Sequence, residues 1–131
     1  MKKILIGILV LLFALPMFSM AASTKAATKY PIVLSHGMGA NAEVFGITDY
    51  WAGIPAALRN NGAKVFITSG NPMQSKEYKA IEWKAQLKEI LAITGAQKIN
   101  LIGHSDGGLY TRYAITNLGM APYVASYTSM S

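Results

Sequence analysis

An apolar strand pattern that runs directly into a Gly-x-Ser-x-Gly turn constrains this chain more than any other feature. Residues 98–108 read Lys-Ile-Asn-Leu-Ile-Gly-His-Ser-Asp-Gly-Gly, and a helical pattern follows them. The glycines two residues before and two residues after Ser105 are the small neighbours that a sharp strand-to-helix turn requires. The pattern is typical of the nucleophile elbow of serine hydrolases, so Ser105 is the candidate nucleophile. A tight turn without a catalytic role is the alternative interpretation.

The order of the predicted elements indicates an α/β fold. Four apolar segments predict strands, and three segments between them have the apolar spacing of helices. The strands are predicted at 31–35, 64–68, 98–104 and 123–129, and the helices at 55–61, 75–94 and 107–118. Such alternation gives a parallel sheet with flanking helices. Ligands bind at the carboxyl edge of such sheets, so we expect His36, Gly37 and Ser105 to meet there.

The amino terminus predicts export. A basic start and an apolar run over 4–18 precede small residues at a cleavage position after Ala21. The sequence therefore predicts a signal peptide at 1–21, a flexible mature amino terminus at 22–29 and one domain at 30–131. A retained membrane anchor is the alternative, although the run is shorter than the roughly 20 apolar residues that a membrane span needs. We expect the mature protein to be secreted.

Charge and cysteine content exclude two classes of protein. The net charge is +6, and loss of Lys2 and Lys3 with the signal peptide lowers it to +4. The remaining positive charges are scattered, without a basic stripe interleaved with aromatic residues, so nucleic-acid binding is not predicted. The chain has no cysteine, which excludes a lipoprotein anchor at the cleavage site. The absence of disulfides says nothing against export.

Ester hydrolysis by a serine also requires a base, an acid that orients the base, and donors for the oxyanion. The backbone N–H groups of Met38 and Asp106 are the predicted oxyanion donors, because one follows an earlier strand and the other follows the nucleophile. Both histidines, His36 and His104, precede Ser105, whereas this type of fold places the acid and the histidine after the serine. His36 stays open as a base, and the His104 side chain is expected to point away from Ser105. The catalytic machinery is therefore incomplete in this chain.

The side chain of Asp106 brings a negative charge close to the place where an oxyanion develops. Two unit charges 4 Å apart repel by about 4 kcal/mol at an effective dielectric constant of 20. An acidic residue at a helix amino terminus gains only about 0.3–1 kcal/mol. We therefore expect the carboxylate to point to solvent or to a cation, for which Arg112 is the candidate.

Three segments of the chain carry a family pattern. They read Tyr-Pro-Ile-Val-Leu-Ser-His-Gly-Met at 30–38, Asp-Tyr-Trp-Ala-Gly-Ile-Pro-Ala-Ala-Leu-Arg at 49–59 and Lys-Ile-Asn-Leu-Ile-Gly-His-Ser at 98–105. Together they resemble the bacterial secreted triacylglycerol lipases that use a dedicated foldase. The resemblance implies an α/β-hydrolase fold, acyl-ester substrates at a lipid–water interface, export to the periplasm and medium, and a foldase chaperone as partner. It also implies Ser105 as the nucleophile.

The chain departs from the family pattern in two places and covers only part of it. The family usually has histidine at the position of Asp106, and its oxyanion loop carries the next glycine one place later than Gly39. The family's triad acid, triad histidine, lid, calcium site and disulfide lie beyond the matched segment, so no cofactor or metal site is expected in this chain. We expect a hydrolase fold truncated after about four strands and inactive alone. A non-catalytic module of the same fold is the alternative, and a thioesterase or acyltransferase is a third.

Overall fold

The structure, a computed structural model, describes residues 23–37, 43–44 and 48–131. Its strands are β1 (Ile32–Ser35), β2 (Glu43–Val44), β3 (Thr48–Asp49), β4 (Val65–Thr68), β5 (Ile99–His104) and β6 (Val124–Met130). Its helices are α1 (Ile54–Asn60), α2 (Lys76–Thr94) and α3 (Asp106–Asn117), with a 3₁₀ turn at Ala121–Tyr123. All seven predicted elements are present, whereas the β2–β3 pair and the 3₁₀ turn were not predicted. The predicted signal peptide, 1–21, lies outside the described residues, as does Met38.

Four parallel strands form the main sheet in the order β4–β1–β5–β6. β5 lies between β1 and β6, with Val33 opposite Leu101 and Ser35 opposite Gly103. The short strands β2 and β3 pair with each other, antiparallel and apart from this sheet. The parallel sheet with flanking helices that the sequence predicts is confirmed, and β1 and β5 end side by side at its carboxyl edge.

Apolar side chains cover both faces of the sheet. Val33 belongs to a buried cluster with Trp83 and Leu87 of α2, whereas Ile32 and Leu34 belong to a second cluster that contains Trp51. This alternation follows from the two-residue period of a strand. The predicted apolar stripe of α2 faces the first cluster. Its members are Ala80, Trp83, Leu87 and Ile90, which are buried, and Leu91, which packs against them.

The ends of α2 follow its predicted capping residues. The Ser75 side chain accepts a hydrogen bond from the backbone N–H of Tyr78 at 3.3 Å, and Gly95 ends the helix with φ 66°. A serine cap satisfies a backbone donor that the first helical turn leaves free. The cap fixes where the helix begins, and it therefore fixes the positions of Lys76 and Lys79 in its first turns.

Strand β6 and the segment at 23–26 differ in how they contact the rest of the domain. β6 lies at the edge of the sheet, and most of its side chains are exposed. At the other end, Ala26 donates its backbone N–H to the Asn61 carbonyl at 2.8 Å, and the Ser23 hydroxyl donates to the Asn61 side chain at 2.9 Å. The predicted flexibility of 22–29 stays a prediction. Within the described residues, no helix is both long and apolar enough to span a bilayer.

Candidate active site

Ser105 occupies a strained turn between β5 and α3. Its backbone has φ 53° and ψ −126°, a region that clashes with Cβ in all residues except glycine. Such a conformation persists only where the surrounding structure holds it. Here the Ser105 N–H donates to the Met130 carbonyl at 2.7 Å, and the Gly108 N–H donates to the Ser105 carbonyl at 3.0 Å. The exposed Ser105 hydroxyl makes no hydrogen bond to any described residue.

Two glycines allow the elbow to approach the end of β1. A Cβ placed on Gly37 would lie 2.9 Å from Cβ and 3.2 Å from Oγ of Ser105. A Cβ placed on Gly107 would lie 2.7 Å from the His36 carbonyl oxygen, and closer still to that of Ser35. All of these distances are shorter than an ordinary van der Waals contact. The loop after β1 and the elbow therefore meet at the carboxyl edge, as the strand order predicts.

The structure describes one of the two predicted oxyanion donors, Asp106, and does not describe the other, Met38. Asp106 is the first residue of α3, and the backbone N–H groups of a first helical turn have no acceptor within the helix. Its amide directly follows Ser105 at the start of this helix. Met38 lies outside the described residues, although its neighbour Gly37 packs against Ser105. Both roles stay predictions.

The Asp106 carboxylate is buried and paired with a lysine. Its Oδ2 lies 2.7 Å from Nζ of Lys79, and the two side chains are 11% and 5% exposed. Of the two expected surroundings, solvent or a cation, the structure shows a cation, but Arg112 was the wrong candidate. Arg112 lies six residues along α3, about one and two-thirds turns, and therefore faces another direction; its side chain is exposed. Lys79 reaches Asp106 because α2 packs against α3.

Tyr50 links the loop after β1 to the end of β5. Its hydroxyl accepts a hydrogen bond from the backbone N–H of Gly37 at 3.0 Å and shares a short hydrogen bond with Nδ1 of His104. The tautomer of His104 determines whether the tyrosine O–H or the imidazole N–H donates in this bond. The sequence pattern did not single out Tyr50, although it belongs to the family segment at 49–59.

His36 lies under the same loop. Its side chain is 2% exposed, its Nδ1 lies 2.9 Å from the Gly37 carbonyl oxygen, and its Nε2 has no partner among the described residues. Burial lowers the pKa of the His36 imidazole, the bond to Gly37 opposes this effect, and the charge of Lys79 lowers the pKa further. Neither His36 nor His104 forms a hydrogen bond with Ser105. The described residues therefore supply no base in contact with the candidate nucleophile.

A buried polar network fixes the end of β1 beneath the site. The Ser35 hydroxyl accepts a hydrogen bond from Nε1 of Trp83 at 3.0 Å and shares another with the Thr68 hydroxyl at 2.9 Å. The Tyr110 hydroxyl donates to the His36 carbonyl at 3.2 Å. Burial raises the pKa of Tyr110 well above its ordinary value, so this hydroxyl stays a donor. These bonds are made away from water, and they hold the backbone of the loop in one position.

Two cavities flank the elbow. The first, which we call the apolar cavity, has a volume of about 240 Å³ and is lined by Tyr50, Trp51, Ala52, Ile54, His104 and Met130. The second, the polar cavity, has a volume of about 590 Å³ and is lined by Lys76, Ser105, Asp106, Leu109, Ser129, Met130 and Ser131. Met130 lines both, so the two cavities adjoin at this residue.

The described residues do not form a metal site. Across 23–37, 43–44 and 48–131, no three histidine, cysteine or carboxylate side chains lie close enough together to hold a metal ion. The calcium site that the family resemblance implies is expected beyond the matched segment, and that expectation stays a prediction.

Comparison with known proteins places the chain among hydrolases. A family model described as the alpha/beta hydrolase fold matches residues 30–131. A triacylglycerol lipase of Burkholderia plantarii is 41% identical over 116 residues, which are 86% of this chain and 32% of that protein. A triacylglycerol lipase of Pseudarthrobacter phenanthrenivorans is 42% identical over 113 residues, which are 83% of this chain and 34% of that protein. The resemblance to triacylglycerol lipases is thus confirmed, and the chain spans about a third of the length of these relatives.

A solved structure shows the same fold. The lipase BlEst2 of Bacillus licheniformis in its mature form superposes with a TM-score of 0.66 at 22% sequence identity, over 79% of this chain and 40% of that one. At this identity the likeness concerns the fold. It confirms the predicted parallel sheet with flanking helices.

Proposed function

The chain belongs to the α/β-hydrolase fold family, and on that premise we propose that it carries the nucleophile of a secreted acyl-ester hydrolase of the triacylglycerol lipase type. The observation that supports this proposal best is the backbone of Ser105. A non-glycine residue with φ 53° at the carboxyl edge of a parallel sheet costs stability of about 1–3 kcal/mol. This backbone conformation places the exposed Ser105 hydroxyl beside Gly37.

In the proposed reaction, Ser105 Oγ attacks the ester carbonyl carbon while a base takes the hydroxyl proton. The carbonyl oxygen becomes an oxyanion, which the backbone N–H groups of Met38 and Asp106 stabilise. Removal of one such donor typically costs about 3–4 kcal/mol of transition-state stabilisation. The alcohol then leaves with the proton, and water hydrolyses the acyl-serine. Because Lys79 neutralises the Asp106 carboxylate, the side chain next to the nucleophile adds no net charge near the oxyanion.

The chain alone is proposed to be inactive, because neither His36 nor His104 forms a hydrogen bond with Ser105; their Nδ1 atoms contact Gly37 and Tyr50. Without a base the serine stays a weak nucleophile. The oxyanion hole and binding give roughly 10³–10⁴-fold acceleration over water, whereas an intact triad adds about 10⁶-fold. The second candidate function, a non-catalytic module of the same fold, is favoured by one observation. His36 and His104 are both engaged elsewhere, with Gly37 and with Tyr50.

A chimera distinguishes the two functions. Residues 30–131 replace the matched segment of the Burkholderia plantarii lipase, so that the rest of that protein completes the fold. We expect the chimera to hydrolyse p-nitrophenyl esters and to react with a fluorophosphonate probe. Ser105→Ala should abolish both, whereas the matched control Ser129→Ala, a hydroxyl in the same cavity, should retain both. A folded chimera that neither hydrolyses esters nor is labelled supports the non-catalytic module, and labelling that survives Ser105→Ala overturns the nucleophile assignment.

Export is proposed on the basis of the amino-terminal pattern. The basic start, the apolar run and the small residues before Ala22 support cleavage after Ala21, which leads to the periplasm or the medium, a foldase as partner and work at a lipid–water interface. Mass spectrometry of the exported protein tests this proposal. A chain that begins at residue 22 is expected, and an intact Met1 in the membrane fraction would demonstrate an anchor instead.

A further inference from the structure

Gly37 lies between the two halves of the candidate site. It directly precedes Met38, the first predicted oxyanion donor. A Cβ placed on Gly37 would lie 2.9 Å from Cβ of Ser105 and 2.9 Å from the Tyr50 hydroxyl oxygen. The residue pairs of β1 with β4 and β5 end at Ser35. The sheet therefore no longer holds the backbone at Gly37, and its direction depends on other contacts.

The Tyr50 hydroxyl supplies such a contact. It accepts a hydrogen bond from the backbone N–H of Gly37 at 3.0 Å and shares a second one with Nδ1 of His104, the residue before Ser105. A phenolic hydroxyl can both donate and accept, so the link is the same whichever group donates in the second bond. One oxygen atom thus joins the residue before the predicted oxyanion donor to the residue before the candidate nucleophile.

Three aromatic neighbours hold the half-buried ring of Tyr50 in place. Its centroid lies 5.3 Å from that of Trp51, 5.6 Å from that of His104 and 5.8 Å from that of His36. Favourable aromatic pairs have centroids about 4.5–7 Å apart. Packing therefore fixes the position of the hydroxyl without any contribution from a substrate.

The peptide group between His36 and Gly37 is held at both ends. Its carbonyl oxygen accepts a hydrogen bond from the Tyr110 hydroxyl at 3.2 Å, and its N–H donates to Tyr50. A peptide group is planar, so two opposed contacts fix its orientation. Tyr110 belongs to the buried polar network, and its removal would disturb more than the loop. Tyr50 is therefore the residue whose hydroxyl can be removed to test the loop.

We propose that Tyr50 is a positioning residue of this site. Its hydroxyl ties the loop after β1 to the end of β5, and it thereby fixes the distance between the backbone N–H of Met38 and Oγ of Ser105. This inference rests on the proposed function, because it concerns the oxyanion donors of that reaction. Such donors act when they are already aimed at the developing oxyanion. A loop free to turn at Gly37 would present the Met38 donor in only a fraction of the molecules, which lowers kcat rather than substrate affinity.

Amide hydrogen exchange, measured by NMR on the chain itself, tests the tie without catalysis. In the wild type the Gly37 N–H should exchange at least about tenfold more slowly than in an unstructured peptide, the factor that one ordinary hydrogen bond supplies. Tyr50→Phe keeps the ring and removes the hydroxyl, so this protection should be lost. A wild-type Gly37 amide that exchanges at the rate of a free peptide would overturn the proposal.

Tyr113→Phe is the matched control for this measurement. The Tyr113 side chain packs against the core, and its hydroxyl forms no hydrogen bond in the described part of the chain. The variant should therefore exchange as the wild type does. The amide of Leu101 in the central strand β5 should stay protected in both variants, which reports that the sheet is folded. Equal exchange of Gly37 in Tyr50→Phe and Tyr113→Phe would overturn the proposal.

Kinetics of the chimera test the positioning role. We expect Tyr50→Phe to lower kcat for p-nitrophenyl esters by about 10–100-fold, less than the roughly 10²–10³-fold cost of losing a whole oxyanion donor, and to change KM by less than about twofold. Tyr113→Phe should leave both constants unchanged. A raised KM with unchanged kcat would mean that Tyr50 binds the substrate and would overturn the positioning role, as would equal kcat values of the two variants. A chimera that is inactive with every tyrosine in place refutes the proposed function, and the exchange of Gly37 still decides whether the tie exists.

Discussion

Removal of the Lys79 amine tests the electrostatic account of the elbow. Lys79→Met keeps most of the apolar stem but leaves the Asp106 carboxylate, with 11% of its side chain exposed, without its cation. Loss of one partner from a buried ion pair costs about 3–5 kcal/mol. Domains have total stabilities of about 5–15 kcal/mol, so the variant should lose a large part of its free energy of unfolding. In a domain of about 100 residues, each kcal/mol lowers the melting temperature by roughly 4–8 °C.

Urea unfolding followed by the fluorescence of Trp83, which lies in the core, measures this loss. The double variant Lys79→Met/Asp106→Leu removes both charges, and replacement of a buried pair by apolar residues is often neutral or stabilising. We therefore expect it to be more stable than Lys79→Met alone. Lys88→Met, at an exposed position of the same helix, should change stability by less than about 0.5 kcal/mol. A loss below about 1 kcal/mol in Lys79→Met, or a double variant no more stable than the single one, would refute the reasoning.

Four further substitutions test the backbone and the buried histidine. The pKa of folded His36 lies below 6.5, so the unfolded chain binds more protons below that pH. Stability should therefore fall from about pH 7 to pH 5, by at most about 1.4 kcal/mol per pH unit, and urea midpoints of His36→Asn should show a shallower dependence. Gly107→Ala forces a Cβ against the end of β1 and should cost at least about 1–3 kcal/mol in the same assay; an unchanged midpoint would contradict the close approach. Ser105→Gly should be about 1–2 kcal/mol more stable than Ser105→Ala, because only glycine relieves the positive φ, and equal stabilities would mean that the turn is not strained.

The parts of the fold that sequence reasoning predicted are those with signals along a few residues. The spacing of apolar residues predicted α2, and Ser75 and Gly95 predicted its ends. The Gly-x-Ser-x-Gly pattern predicted the turn at Ser105, because a Cβ at either glycine would clash with nearby backbone atoms. The β2–β3 pair was not predicted, because strands of two residues are too short to show a period.

The contacts of Lys79 with Asp106 and of Tyr50 with His104 depend on how distant segments of the chain pack together. The energetic conflict at Asp106 indicated that its carboxylate faces solvent or a cation, but not which cation, because Lys79 lies 27 residues away on another helix. The nearest cation along α3, Arg112, fails by helical phase alone. The link from Tyr50 to His104 spans 54 residues and equally escapes local reasoning. Asp106 and Lys79 therefore act as one unit, because the carboxylate at position 106 is buried together with the lysine that α2 carries to it.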